Sequence, residues 1–259
     1  MKKKTNKRIY LSIIIPSYKQ EKTIKKDIKN ILTVIENLTF KYELIIVIDG
    51  KKDKTLQRLK RVRSRELKII ELGKKYGKGY AIRKGVEVST GEIVGFLDAG
   101  MDIDPNGIQM LLNHMIWYDA DVIVGSKLHP VSQVNYPLSR KILSWGYRTF
   151  THLLFGFKIR DTQAGMKLFK KEVAKDVFNR SLVKEFAFDV EVLALAYALG
   201  YKKIYEAPIK LNFSGNSSIT NSNFWRIIIR MLVDTLAIYY RLKVRQYYKK
   251  SNRKNWITE

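Results

Sequence analysis

A chain of 259 residues, 46% of them hydrophobic, can bury one large domain with appendages. It has no cysteine, which excludes disulfides and thiolate chemistry and suits a reducing compartment. A net charge of +25 points to an anionic partner, whether nucleic acid, an anionic membrane or a phosphorylated substrate, although a lysine-rich solvated surface contributes to the same number.

The first eight residues are basic and no apolar run of signal-peptide length follows them. The apolar stretch at 10–15 ends at Pro16, so it reads as a strand and no signal peptide is expected. Strand-length apolar runs then recur at 43–48, 67–71, 93–97 and 122–124. Helical patterns separate them at 21–37, 54–62, 79–89 and 106–117. Continuous apolar strands with helical crossovers predict an α/β fold built on a mostly parallel, Rossmann-like sheet flanked by helices. In such sheets ligands bind beyond the carboxyl ends of the strands, which gathers Pro16-Ser17-Tyr18, Asp49-Gly50 and Asp98-Ala99-Gly100 around one crevice.

Beyond residue 125 the pattern predicts a helix over 139–154, a loop at 161–169 running into a short strand, and a helix over 187–199. A strand pair follows near 203–205 and 209–213, then a turn at 215–218 and a helical extension from 223 to about 248. The expected organisation is a basic tail (1–9), a catalytic domain (10–215) and a basic, aromatic C-terminal extension (216–259). The extension is apolar over 224–242 but interrupted by Arg226, Arg230, Asp234 and Arg241, which makes a spanning helix costly. Tyr239, Tyr240, Tyr247 and Tyr248 among lysines and arginines suit an amphipathic helix at an anionic membrane surface, or one packed on the domain. No recognition motif accompanies the charge, so no nucleic acid is expected.

Three carboxylates follow the apolar run that ends at Leu97: Asp98, Asp102 and Asp104. Hard divalent cations take oxygen ligands, one or two of them protein carboxylates, and a diphosphate leaving group gains from such a cation. Asp98 and Asp102 are the candidate ligands for Mg²⁺ or Mn²⁺; Asp104 before Pro105 reads as a helix-start residue. Gly77-Lys78-Gly79 lets backbone approach a phosphate with Lys78 supplying charge, and lacks the spacing of a Walker loop.

The set 11–18, Val47-Ile48-Asp49-Gly50 through Thr55, Gly77-Lys78-Gly79 and Phe96-Leu97-Asp98 resembles family 2 glycosyltransferases, whose fold is GT-A. Gly125-Ser126-Lys127, Ser139-Arg140, the segment Asp161-Thr162-Gln163-Ala164-Gly165-Met166-Lys167-Leu168-Phe169, and Phe188-Asp189-Val190-Glu191 look like the dolichyl-phosphate glucose and mannose synthase branch. The resemblance implies that Pro16, Tyr18, Glu21, Asp49, Lys78, Asp98 and Lys127 hold a nucleoside-diphosphate sugar of the UDP-glucose or GDP-mannose class. It implies that Arg140 meets donor or acceptor phosphate, that Asp161 and Gln163 shape the sugar and acceptor side, and that Asp189 stands where relatives place a base-like carboxylate. The implied catalytic set is Asp98, Asp189 and Arg140. Gly100 replaces the second aspartate of the family's Asp-x-Asp motif, so Asp102 is the substitute ligand. The implied reaction is inverting transfer of a hexose to a polyprenyl monophosphate, by a peripheral protein on the cytoplasmic face of a membrane. A glycan hydroxyl as acceptor, or a sugar-nucleotide binder with impaired catalysis, are the alternatives.

Overall fold

Leu11, Ile13, Ile14 and Ile15 are buried on both faces of the first strand, and Leu44 to Val47 do the same in the second. Only a strand in the middle of a covered sheet has that pattern, and the neighbours that bury it are helices of the βαβ crossovers. The structure, a computed structural model, describes residues 10–134, 138–211 and 224–249; of 134, 138–142 and 224 only the backbone is described. The tail expected at 1–9, the turn at 215–218, the residues from 250 onward and the side chain of Arg140 lie outside that description.

The elements run β1 (Leu11–Ser17), α1 (Ile24–Glu36), β2 (Tyr42–Ile48), α2 (Thr55–Leu59), β3 (Leu67–Glu71), α3 (Lys78–Val88), β4 (Ile93–Leu97), α4 (Gly107–Trp117) and β5 (Val122–Ser126). There follow β6 (Gln133–Val134), α5 (Leu138–Phe155), β7 (Met166–Lys170), α6 (Lys171–Phe178), α7 (Phe188–Ala198), β8 (Ile204–Pro208), β9 (Lys210–Leu211), α8 (Phe224–Tyr239) and a π-helical turn, Tyr240–Val244. A seven-stranded sheet has the order β3-β2-β1-β4-β7-β5-β8. Its pairings are parallel except for β7, which is antiparallel to both β4 and β5.

The reversal of β7 places the site. Because Leu97 pairs with Met166, the start of β7 lies beside the end of β4, and the N–H of Asp98 donates to the Gly165 carbonyl at 2.8 Å. The 161–165 loop therefore reaches the carboxyl end of the parallel strands, where the crevice of an open α/β sheet forms.

Two expectations change. The strand pair near 203–205 and 209–213 does not pair with itself: β8 joins β5 in the main sheet, and β9 pairs with β6 in a separate two-stranded sheet. The extension is α-helical only to Tyr239, after which the π turn ends the helix and the chain folds back, with the Tyr247 N–H donating to the Arg241 carbonyl at 2.9 Å. Among the described residues no helix is long and apolar enough to cross a membrane.

Candidate active site

Asp98 leaves the end of β4 half-buried, and the ammonium of Lys78 lies 2.7 and 2.8 Å from its two oxygens. Lys78 opens α3, and 3.5 Å on its other side stands Asp189 in the first turn of α7. The second oxygen of Asp189 pairs with Lys167 from β7, which also donates to the Ala164 carbonyl at 2.8 Å. Lys167 has no exposure and Asp189 has 3%. Two ammonium groups thus alternate with two carboxylates, and the cluster, buried at Lys167 and Asp189 and open to solvent at Asp98, is charge-balanced, the condition under which such groups tolerate desolvation.

Burial disfavours the charge on Lys78, yet Asp98 and Asp189 outweigh it and hold the pKa above the ordinary lysine value. Lys167 is pulled below that value by its complete burial, which the Asp189 carboxylate only partly offsets. Burial raises the Asp98 carboxyl, against the ammonium of Lys78 and with the help of the Asp189 charge.

Two glycines make this approach possible. A Cβ on Gly165 would collide with the Asp98 carboxylate, so the residue facing Asp98 across the sheet has no side chain. Gly77 has φ +112°, and a Cβ there would collide with the Lys184 carbonyl.

The other expected residues surround this centre. Pro16 pairs with Val47 at the end of β1, and Tyr18 follows it with the Lys75 ammonium 4.7 Å above its ring. Glu21 accepts from the Lys54 N–H at 2.9 Å, while its own N–H donates to Asp53 at 3.1 Å, so the loops after β1 and β2 hold each other. Asp49 is buried, and its two oxygens take the N–H groups of Tyr76 and Gly77 at 2.6 and 2.8 Å. Its carboxylate holds the loop that presents Lys78. Asp161 does likewise on the far side, accepting from the N–H groups of Lys127 at 2.9 Å and Gln163 at 3.1 Å. The Lys127 ammonium lies 3.7 Å from the same carboxylate. Gln163 is half-buried, as is Asp102 in the turn after β4. Asp104 accepts the Asn106 N–H at 3.0 Å in the turn before α4; the N-cap itself is Asn106 and no side chain caps the helix, so the expected cap by Asp104 does not form.

Among the described residues no group of three or more His, Cys, Asp or Glu stands together to hold a metal. Mg²⁺ usually takes only one or two protein carboxylates; here both oxygens of Asp98 meet the Lys78 ammonium, and Asp102 follows in the turn after β4. At Gly100 (φ +101°) a Cβ would meet only the Gln20 amide nitrogen at 3.7 Å, so the missing aspartate leaves room rather than a filled core.

Lys167 and Glu191 lie in the segments 161–169 and 188–191 that carry the resemblance, which implies no role for either. The available signal for Lys167 was a lysine inside the apolar strand Met166-Lys167-Leu168-Phe169, which has to find a buried partner.

The chain is 32% identical to the dolichyl-phosphate beta-glucosyltransferase of Homo sapiens over 238 residues, 83% of this chain and 70% of that protein. It is 30% identical to the Dictyostelium discoideum protein of the same name over 206 residues, 74% of this chain and 63% of that one. The dodecaprenyl-phosphate galacturonate synthase of Rhizobium johnstonii is 24% identical over 64% of this chain and 49% of that protein. Among solved structures, mannosyl-3-phosphoglycerate synthase from Rubrobacter xylanophilus matches with a TM-score of 0.69 at 16% identity, covering 92% of this chain and 75% of that one. Glucosyl-3-phosphoglycerate synthase from Mycobacterium tuberculosis, in complex with Mn²⁺ and UDP-glucose, matches with a TM-score of 0.66 at 16% identity, covering 90% and 79%. At these identities the likeness concerns the fold, which is GT-A. The family model described as Glycosyl transferase family 2 matches residues 12–178, from β1 through α6, and the chain belongs to that family.

Proposed function

We propose that this glycosyltransferase moves glucose from UDP-glucose to a polyprenyl monophosphate with inversion at the anomeric carbon. The observation that carries the choice of acceptor is the state of Asp189. One of its oxygens is paired with Lys167, the other faces Lys78 at 3.5 Å, and the residue is buried. Both oxygens thus face ammonium groups and neither is presented to an acceptor, whereas a sugar hydroxyl acceptor would need a base in contact with it. A phosphate monoester needs none: its second pKa is about 6, so its oxygen is already ionised near neutral pH. The names of the human, Dictyostelium and Rhizobium relatives support the same acceptor class, and the Mycobacterium structure with UDP-glucose supports the donor.

In this reading a phosphate oxygen of the acceptor attacks the anomeric carbon from the face opposite the nucleotide. The carbon–oxygen bond to the diphosphate breaks as the new carbon–oxygen bond forms, and UDP leaves with the bonding electrons. A cation held by Asp98 and Asp102 would neutralise charge on the leaving diphosphate. Lys78, beside Asp98 and held above its ordinary pKa, remains charged and adds to that neutralisation. Asp189 orients Lys78 and Lys167 rather than taking a proton. Asp49 and Asp161 fix the loops on the nucleotide and acceptor sides, next to Tyr18, Glu21, Lys127 and Gln163. Arg140, on α5, is assigned to acceptor phosphate from its place in the sequence.

The acceptor's lipid tail requires a membrane, and α8 offers a surface for one. Trp225, Ile229, Val233, Leu236, Tyr240 and Val244 are spaced three or four apart and are each about half exposed or more. Arg226, Arg230 and Lys243 interleave with them, the mixture of an interfacial helix on anionic lipid. Neighbouring α5 adds Leu153, 82% exposed, at an open cavity of about 460 Å³ lined also by Arg148, Thr149, His152 and Arg160. Peripheral attachment at the cytoplasmic face belongs to the same proposal.

UDP release from UDP-glucose with a short polyprenyl phosphate tests the catalytic part. The proposal expects turnover that needs Mg²⁺ or Mn²⁺ and is lost in Asp98→Ala. Turnover indifferent to both chelator and that substitution would overturn it.

A further inference from the structure

Glu191 is a carboxylate with no solvent exposure that the transfer chemistry does not use. It lies two residues after Asp189 on α7, about 200° around the helix, and so looks away from the crevice. Burial raises its carboxyl above the ordinary range, opposed by the groups that surround it. One oxygen accepts the O–H of Tyr248 at 2.6 Å and lies 3.7 Å from the Arg241 guanidinium. The other accepts the N–H groups of Leu182 and Val183 at 2.9 and 2.8 Å. Tyr248 and Arg241 belong to the C-terminal segment; Leu182 and Val183 belong to the loop before α7.

The next residue of that loop touches the site. The Lys184 carbonyl accepts the N–H of Gly79 at 2.8 Å and, at 3.4 Å, that of Tyr80. It also fills the place a side chain on Gly77 would occupy. Between those glycines stands Lys78, which grips Asp98.

From this continuous run of contacts we infer that Glu191 is a positioning residue for the donor site. It ties the C-terminal segment, through Tyr248, to the loop that seats Gly77-Lys78-Gly79. The inference rests on the donor reading above. It goes beyond it in giving the C-terminal segment a part in holding the nucleotide diphosphate. Loss of Tyr248 would leave Glu191 short of one donor and loosen the 182–184 amides. The start of α3, which depends on the Lys184 carbonyl, would loosen with them.

The test uses the full chain with Tyr248→Phe, Glu191→Gln and the double variant, read by amide hydrogen exchange and by titration with UDP. The expected result is faster exchange at 182–185 and at 76–82 in Tyr248→Phe, with exchange in β1 and β2 unchanged. UDP binding should weaken about tenfold, within the usual range of coupling between sites. The KM for UDP-glucose should rise while that for the lipid phosphate stays constant. The double variant should bind UDP no more weakly than Glu191→Gln alone, since the two residues act in series. Unchanged exchange at 76–82 with faster exchange confined to the C-terminal segment would overturn the inference, and so would unchanged UDP affinity in Tyr248→Phe. If Glu191→Gln fails to fold, Tyr248→Phe alone decides. A wild-type chain that binds no nucleoside diphosphate would remove the donor reading, and the exchange data would still show whether the connection exists.

Discussion

Lys78 is the residue on which two carboxylates depend, since Asp98 and Asp189 both face its ammonium. Lys78→Met removes the shared cation while keeping the length of the side chain. We expect kcat/KM for UDP-glucose to fall by about 10²–10³, the scale at which a preorganised charge-stabilising group acts. Steady-state rates over a range of donor concentration check this, and a loss of under about threefold would contradict it. Lys167→Met should behave differently, because it leaves the buried Asp189 with only the more distant Lys78 ammonium, at 3.5 Å. Its cost belongs to stability, about 3–5 kcal/mol in urea unfolding. Asp98 was legible in the sequence because a carboxylate directly after an apolar strand falls at the crevice of any open α/β sheet. Lys78 was legible from its flanking glycines. The pairing of Lys167 with Asp189 was not, because the two are 22 residues apart on a strand and a helix. The occupation of Asp49 and Asp161 was hidden for a related reason: their partners are backbone N–H groups, which leave no trace in residue identity.

At the scale of elements, the opposite end of the sheet has its own polar network. Glu43, at the start of β2, accepts the Ser12 hydroxyl at 2.6 Å, and the Thr90 N–H and hydroxyl at 2.7 and 2.9 Å. Lys68 from β3 lies 2.6 Å from its other oxygen. One carboxylate thus joins β1, β2, β3 and the turn before β4. Burial pushes the Glu43 carboxyl up, but the Lys68 ammonium and the hydrogen bonds outweigh burial and hold it below the ordinary glutamate value. A carboxyl with a depressed folded-state pKa contributes stability above its unfolded pKa and loses that contribution as pH falls through the folded value. Glu43→Gln should therefore cost about 2–3 kcal/mol near pH 7, as for hydrogen bonds to a charged group. The gap to wild type should narrow as pH drops below the ordinary glutamate range. Chemical denaturation at pH 7 and pH 3 measures both, and a gap that is constant with pH would contradict the assignment.

The same scale explains which elements could be read in advance. The strands from β1 to β5 are mainly apolar runs, interrupted by Glu43 in β2 and Lys68 in β3, and the face of α8 repeats at three- and four-residue steps. The partners of β8 and β9 are β5 and β6, some eighty residues earlier, so no local pattern distinguishes them from a hairpin. The antiparallel setting of β7 is hidden for the same reason, although it is what carries Gly165 to Asp98. The α8 face itself predicts that Trp225→Ser, Ile229→Ser and Val233→Ser combined will abolish the flotation with anionic vesicles that survives about 0.5 M salt. Activity on a detergent-dispersed short-chain acceptor should persist. Undiminished flotation would show that another surface meets the lipid.

For the whole molecule, a net charge of +25 sets the strength of the attraction to any anionic surface, and its reach shrinks with salt. Binding to anionic vesicles should weaken as salt rises from about 0.05 to 0.5 M, while the apolar face of α8 leaves a residual that salt does not remove. The charge is equally a feature of the substrate pair, for both the nucleotide diphosphate and the lipid phosphate are anions. In the proposed reaction those two anions meet at Lys78 and Asp98, and glucose passes from one to the other. Mass spectrometry of the lipid products formed from a panel of nucleotide sugars, a short polyprenyl phosphate and Mg²⁺ or Mn²⁺ tests it directly. A hexosyl phosphate ester of the polyprenol should form from UDP-glucose and be absent in Asp98→Ala. Intact polyprenyl phosphate beside a glycosylated hydroxyl acceptor, or no product from any donor, would contradict it.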